Sequence, residues 1–463
     1  MDKIFDIMLQ ITNWVWGLPI LVVFFGSFVV MTICTKGVQF RRAKEILKGT
    51  FGALTSKKES GDGTVSAVAA TMTALAATVG SSNIMGASVA IAMGGPGAIF
   101  WMWVAALLGL AMKYSETVLG MKYRTTNEDG EYVGGPFYYL EKGLNRPWVG
   151  KAYAIALLLF MAFSIPTQAS AVVDTAATIG ISGWTTVIFM AIFIILVIYG
   201  GIKRLSKVTS AIVPVMAISY LLMAWIIIAL NITQLPASLV LICKSAFTPT
   251  SAMGGFAGAG VMAGMRWGMA RGIYSNESGL GEFTIAHAAA VTDHPCRQAQ
   301  WAVFEVIVDT IIILTTSALL VMVTGVWTEV TPDMASTAPT MAIQSLLGAT
   351  AGSVFMTVML FLFAFSTILV AFHYGGKAAE YIGGPTKKGK RLMQVISIIY
   401  VCMIFIAHTG KMTNFFFLAD FFLAFVVFIN VIAVMIMHKQ VTEEIEDFYD
   451  NPKYFPELAG KKK

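Results

Sequence analysis

Charge is what this chain has least of. Of its 463 residues only 13% are Asp, Glu, Lys or Arg, while 57% are hydrophobic. Soluble domains carry about 25% charged residues, so this balance excludes an ordinary soluble protein and points to a polytopic membrane protein. Cysteine is scarce too. Cys34, Cys243, Cys296 and Cys402 stand apart, without the spacing of a zinc site or a disulfide framework. They are expected to be packing residues or loop thiols. The five histidines, His287, His294, His373, His408 and His438, form no HExxH motif, so a zinc enzyme buried in the membrane is not supported. His373 and His408 lie in or beside apolar runs and read as packed, hydrogen-bonded side chains. No GxxxxGK[ST] occurs, which excludes the usual ATP-driven pump. The formal charge of +6 is no nucleic-acid signature, because Lys and Arg lie between apolar runs. Residues 1–16 lack a basic start, so no cleavable signal is expected.

What is there is a succession of long apolar runs. Eleven spans are predicted, near 15–34, 64–93, 97–120, 152–176, 184–201, 208–230, 256–290, 301–325, 343–376, 391–408 and 415–438. Basic residues fall in alternate loops. The loop after span one holds Lys36, Arg41, Arg42, Lys44, Lys48, Lys57 and Lys58. Later loops of the same set hold Lys122 and Arg124, then Lys203, Arg204 and Lys207, then Lys377, Lys387, Lys388, Lys390 and Arg391. The positive-inside rule predicts an outside N-terminus and a cytoplasmic C-terminus in a plasma membrane. Residues 40–54 are expected to form an interfacial helix, 124–147 a polar loop, and 439–463 a short cytosolic structure or a disordered tail.

Two spans are broken by polar residues. In 71–92 the run Val79-Gly80-Ser81-Ser82-Asn83 is a poor place for an unbroken helix, since Gly weakens it and Ser and Asn compete for backbone bonds. Span seven holds Arg271-Gly272-Ile273-Tyr274-Ser275-Asn276-Glu277-Ser278-Gly279-Leu280-Gly281-Glu282, within an apolar stretch far longer than a bilayer needs. Unwound backbone at that depth must be satisfied by protein or a water-filled cavity. With span one set aside, the two broken spans head two sets of five spans. Five is odd, so the sets run in opposite directions. Broken helices at matching positions of inverted halves point to a transporter's midplane site. A channel would need a ring of carbonyls or like charges, normally from several subunits. Charged residues in or near the spans, Arg266, Arg271, Glu277, Glu282, Lys113 and Glu116, fit a polar interior. Lys113 and Glu116 read as a structural pair or a snorkelling end.

At these residues the chain resembles the alanine or glycine:cation symporters, also called sodium:alanine symporters. The likeness rests on GSSNIMG (80–86), GGPGAIFWMWVAALLGLAMKYSE (94–116), Gly134-Gly135-Pro136, RGIYSNESGLGEFTIAH (271–287), HPCRQ (294–298) and FAFST (363–367), and covers nearly the whole chain. It departs from the family at Ser81-Ser82, at Glu282-Phe283-Thr284 and at residues 370–376. The resemblance implies a LeuT-like five-plus-five inverted repeat with one extra N-terminal helix, and uptake of a small neutral amino acid driven by sodium or protons. The expected units are 1–63 (first span and interfacial helix), 64–230 (first repeat), 231–255 (extracellular connection), 256–438 (second repeat) and 439–463 (tail). No cofactor beyond the coupling ion, no nucleic acid and no catalytic residue is expected; the oligomeric state is left open, a monomer being plausible.

The expected substrate residues are Thr78, Gly80, Asn83, Phe163, Gln168, Ser275, Asn276, Gly279, Val370 and Ala371. Freed N–H groups after Gly80 and after Asn276 would hold the substrate carboxylate. Pro166 would disturb the helix beside Gln168, and Gln168 would receive the amine. Ala371 leaves room for a substrate larger than glycine. The resemblance carries the sodium site onto the carbonyls of Ala76, Val79 and Phe363 and the hydroxyls of Ser366 and Thr367. Glu282, expected about a turn inside the break, is the candidate for coupling to a proton or pairing with a cation.

Overall fold

The structure is a computed structural model that describes residues 2–54, 60–248, 260–384, 386–410 and 412–455, and the side chains from residue 7 onward. Lys57, Lys58, the first residues of span seven, part of the 231–255 connection and the end of the tail lie outside the described residues. Among the described residues almost all the chain is helix. Eight helices are long and apolar enough to cross a bilayer: Ile7–Cys34, Gly97–Lys122, Pro147–Ala177, Gly201–Leu230, Pro295–Val323, Ala349–Gly383, Lys387–Thr409 and Thr413–Ile436. The pair Ala67–Thr78 and Ser81–Gly94, bent by 42°, makes a ninth. Two of the eleven predicted spans fall short of that length. Gly183–Ile198 and Val261–Asn276 have 16 residues each, against the roughly 20 that a crossing takes.

Small residues set the packing around the second break. Gly264 and Gly268 of Val261–Asn276 lie against Gly94 and Ala98, and a Cβ at Gly268 would strike the Ala98 carbonyl oxygen. Backbones this close need glycine, as is usual where membrane helices touch. Pro166 does not interrupt its helix, which runs from Pro147 to Ala177.

One expectation for the connections changes, and one that was open is decided. Residues 124–147 are ordered rather than a plain polar loop. Thr125–Thr126 pairs with Tyr132–Val133 as an antiparallel hairpin, and Pro136–Lys142 is a short helix. Gly134 and Gly135 sit tightly against Ala288 and Ile285. In the tail, of the two expected alternatives, short structure or disorder, His438–Tyr449 takes the first as an amphipathic helix. Its apolar side chains Val441, Ile445, Phe448 and Tyr449 are buried, which repays the ordering. The expected interfacial segment is the helices Val38–Arg41 and Ala43–Thr50 and the turn Phe51–Ala53, with Ile46 buried and Phe40, Leu47 and Phe51 exposed.

The bundle is shut on one face and open on the other. On the basic face, Asp62 bridges Thr292 and Val65 bridges Ala290. Arg124 clamps this seam, donating to the carbonyls of Ala290 (2.7 Å), Ala288 (3.3 Å) and Asp62 (2.8 Å). On the opposite face a vestibule of about 590 Å³ lies between Met85, Asp174, Arg271, Met341 and Asp420 and reaches inward to Ser81, Ser82 and Gln168.

Candidate functional site

The first break is short. Ala67–Thr78 ends because the Gly80 N–H turns to the Thr78 carbonyl and to Asn83 Oδ1 (both 3.0 Å) instead of continuing the ladder to Ala76. The Ala76 carbonyl is thereby freed, and it accepts from Thr367 Oγ1 at 3.1 Å. The next half helix, Ser81–Gly94, opens with the N–H groups of Ser81 and Ser82, which have no partner inside a helix. Ser81 Oγ donates to Gln168 Oε1 at 2.6 Å.

Asn83 ties this break to the rest of the core. Its Nδ2 donates to Ser275 Oγ (2.9 Å) and to Asp309 Oδ1. Ser275 Oγ in turn donates to Asp309 Oδ2 at 2.9 Å. Asp309 sits in a π-helical turn, Ile307–Leu314, a distortion often found at functional sites.

The second break is longer, from Glu277 to Phe283. Glu277, Gly279 and Gly281 have φ of 58°, 92° and 79°, and two glycines let the chain hold that left-handed geometry cheaply. Partners from three helices fix it. Lys113 Nζ donates to the Asn276 carbonyl at 2.7 Å and Tyr153 Oη to the Leu280 carbonyl at 2.6 Å. Asn430 Nδ2 donates to the Gly279 carbonyl (2.9 Å), and the Gly279 N–H to Glu116 Oε2 (3.2 Å). Lys113 also pairs with Glu305 at 3.2 Å, and His287 Nε2 stands 2.7 Å from the other Glu305 oxygen. Lys113 and Glu116 are thus a structural set, as expected, but their partners are the break itself. The N–H groups after Asn276 are not free, contrary to expectation. That of Ser278 donates to Asn276 Oδ1 at 3.0 Å, and Gly279 is held by Glu116. Glu282 lies within the break, near its end.

A cavity lies between the breaks, with about 40 Å³ of solvent-accessible volume. Thr78, Gln168, Ala371, Thr367 and Glu282 line it, with Ser82, Ser164, Tyr274, Glu277 and Tyr374 among their neighbours. Gly80 flanks it: a Cβ there would stand 2.8 Å from Thr367 Oγ1 and 3.6 Å from Gln168 Oε1. Asn83, Ser275 and Asn276 lie behind the wall and bond within the core. Gly279 faces Phe24 and Val431. Phe163 stacks on Phe422, with ring centroids 5.7 Å apart and an interplanar angle of 5°, and Val370 is wholly buried in the packing.

The expected ion ligands gather beside the first break. Thr367 Oγ1 lies 3.1 Å from both the Ala76 and Phe363 carbonyls, Ser366 Oγ lies 2.9 Å from that of Phe363, and Val79 is the residue at the bend. This donor set has no carboxylate, and suits a weakly held monovalent ion. Among the described residues no group of three or more His, Cys, Asp or Glu could hold a metal.

Sequence reading missed Glu305, Asp309 and Asn430. The signal was there for the first two, since each is a carboxylate inside an apolar span and so needs a buried partner.

The family model for the sodium:alanine symporter family matches residues 1–457. An uncharacterized transporter, YflA, of Bacillus subtilis is 41% identical over 98% of this chain and 96% of its own. The sodium/alanine symporter AgcS of Methanococcus maripaludis is 36% identical over 95% of this chain and 96% of its own. A probable sodium/glutamine symporter, GlnT, of Bacillus subtilis is 34% identical over 97% and 91%. A solved structure of a Na+-coupled sialic acid symporter superposes with a TM-score of 0.55 over 92% of this chain and 98% of that one, at 14% identity, which shows a shared fold. The chain belongs to the sodium:alanine symporter family: it is a multi-pass membrane transporter that moves an amino acid with sodium, and not an enzyme.

Proposed function

We propose that this protein takes up a small neutral amino acid of alanine's kind together with sodium, by alternating access. The chain crosses the membrane eleven times, as a LeuT-like pair of inverted five-helix repeats (64–230 and 256–438) after one extra N-terminal span. The N-terminus is outside and the C-terminus cytoplasmic, because the basic loops share one side. With that orientation the vestibule opens outward and the Arg124 seam closes the cytoplasmic side.

In this reading the substrate carboxylate meets the Ser81 and Ser82 N–H groups, where the half-helix dipole adds attraction. Gln168 and Thr78 orient it, and Ala371 leaves room for its side chain. The cavity favours a small substrate. A water needs about 10–15 Å³ of such volume, so 40 Å³ takes only a few heavy atoms without movement. Sodium lies among Ala76, Val79, Phe363, Ser366 and Thr367. It ties the first break to the helix Ala349–Gly383, and so favours the outward-open state that binds it.

The observation that carries this reading is the approach of Thr367 Oγ1 to the carbonyl freed at Ala76. Thr367→Ala should raise the sodium concentration for half-maximal uptake about tenfold, the equivalent of ~1.4 kcal/mol. Substrate affinity at saturating sodium should change far less. Sodium titration of labelled-alanine uptake in proteoliposomes measures both. Wild-type sodium dependence in the variant would refute the site.

A further inference from the structure

The floor of the central cavity is acidic in a way that sodium at Thr367 does not answer. Glu277 and Glu282 both line it, 7% and 2% exposed. Among the described residues neither Oε2 has a hydrogen-bond partner, and neither side chain is in an ion pair. A third group points to a missing ligand. Tyr374, on a different helix, lines the same cavity, is fully buried, and its hydroxyl has no hydrogen-bond partner among the described residues. Buried polar atoms are almost always satisfied, so three in one cavity need an explanation.

The charges around them supply no answer. Lys113 is the cation within reach of both glutamates, but its ammonium is committed to the Asn276 carbonyl and Glu305, and lies over the Phe283 ring at 4.3 Å. The other acids facing the pair are engaged elsewhere: Glu116 with Gly279 and Asn430, Glu305 with Lys113 and His287, Asp309 with Ser275 and Thr310. Tyr153 and Tyr274 also face the pair, but neutral phenols add no positive charge. Among the described residues no Lys or Arg lines the cavity. A zwitterionic amino acid brings one ammonium and its own carboxylate, so its arrival leaves the negative charge in the cavity unchanged. A substrate with a second, side-chain ammonium would answer the charge, but 40 Å³ is small for one.

We propose that Glu277, Glu282 and the Tyr374 hydroxyl form a second cation site, occupied by a monovalent cation, a proton or a sodium ion, while the cavity is closed around its substrate. This rests on the reading of sodium-driven amino-acid uptake. It adds that each substrate moves with a second positive charge, separate from the sodium at Thr367. A proton would sit on one carboxylate and be shared with the other. A sodium ion would take one oxygen from each glutamate and the phenol oxygen. Either halves the negative charge of the floor before the binding region turns inward.

The test is the charge moved per substrate in proteoliposomes, read from the reversal potential of uptake under a clamped potassium diffusion potential. The probe is the best-transported of labelled alanine, serine, glutamine and lysine. The wild type should move about two more positive charges than the amino acid itself carries, and Glu282→Gln about one. If the second cation is a proton, an acid-outside gradient accelerates wild-type uptake and leaves Glu282→Gln unaffected. If it is sodium, the Hill coefficient for sodium falls from about two to about one and pH has no such effect. Tyr374→Phe guards against a folding defect in the first variant: it should keep the stoichiometry and weaken apparent affinity for the second cation several-fold. One charge per substrate in the wild type, or an unchanged stoichiometry in Glu282→Gln, overturns the proposal. So does a wild type that prefers lysine and a Glu282→Gln variant that prefers alanine, which would assign the pair to a cationic substrate. Failure of the underlying reading looks different: no amino acid in the panel would be taken up with sodium.

Discussion

The two broken helices solve the same problem in opposite ways. The first break is a single bend at Val79 and Gly80, bridged locally by Asn83. It needs no left-handed residue, and it leaves a carbonyl at Ala76 and two helix-starting N–H groups for ligands. The second is seven residues of irregular backbone, with left-handed residues at Glu277, Gly279 and Gly281. Its polar groups are mostly spent on Lys113, Glu116, Tyr153 and Asn430. It offers the cavity side chains instead, two glutamates. A short break exposes backbone; a long one must be held from outside, and the holding groups consume the backbone it frees.

The sharpest way to break this contrast is to remove the outside support. Lys113 and Glu305 are fully buried partners. Lys113→Met strands a carboxylate and the Asn276 carbonyl, and loss of one member of a buried pair costs about 3–5 kcal/mol. Purified yield and thermal unfolding in detergent should both fall sharply, and Lys113→Met with Glu305→Gln should recover part of the loss. A stable Lys113→Met protein would show that the ion pair does not hold the break.

Asn276→Ala tests the local support. It removes the acceptor for the Ser278 N–H, a buried bond worth about 1–3 kcal/mol when one partner is left bare. Uptake should fall about ten- to a hundredfold at near-normal yield, as the Glu277–Phe283 segment loses its geometry. Unchanged transport kinetics would place Asn276 outside the working parts.

A matched pair of glycine substitutions separates the breaks more finely. At Gly281, φ is 79° and a Cβ would come within 2.7 Å of Tyr139 Oη. Gly281→Ala should cost ~1–2 kcal/mol from the left-handed backbone alone, seen as a lower unfolding temperature. Gly80 has φ of −109°, open to any residue, and its Cβ would press on Thr367 Oγ1. Gly80→Ala should leave unfolding within ~1 kcal/mol of wild type and raise the sodium needed for half-maximal uptake about fivefold. Equal effects of the two on stability would erase the distinction drawn here.

The first break was legible because its polar residues interrupt an apolar helix over five positions, and sequence shows local chemistry well. The second was legible as an overlong span, but not in its details. Lys113 and Asn276 lie 163 residues apart, as do Glu116 and Gly279, and no local pattern pairs them. This is why N–H groups expected to be free turned out to be taken. Gln168 and Ala371 line the cavity, whereas Phe163 and Val370 from the same helices do not. The difference is a rotation about each helix axis, and in spans apolar all round no hydrophobic face fixes that rotation. The hairpin at 125–133 was missed, and the tail was left open between short structure and disorder, for another reason: their partners, around Ala288 and His294, are distant in the chain.

The smallest expected effect lies outside both breaks, and serves as their control. His294 caps the helix Pro295–Val306, accepting the Cys296 N–H on Nδ1 at 3.1 Å. Its Nε2 faces Asp447 at 3.1 Å, and its ring stacks on Phe448 of the docked tail helix. Burial holds its pKa below the ordinary histidine value, against the opposing pull of Asp447 and Glu444. The geometry agrees, since a proton on Nδ1 would point at the N–H it now accepts. A histidine whose folded pKa is depressed binds more protons unfolded than folded, so stability rises with pH through that range. The contribution is complete above the unfolded value of about 6.5 and is lost as pH falls below it towards the folded value. Thermal unfolding between pH 7.5 and 5.5 should therefore show a modest loss of stability on acidification. His294→Asn, which keeps a capping acceptor without the titration, should flatten that slope while sodium dependence stays as in wild type, because the proposed sodium site at Thr367 lies at the first break, away from His294. A slope that persists in His294→Asn would move the acid sensitivity to another group.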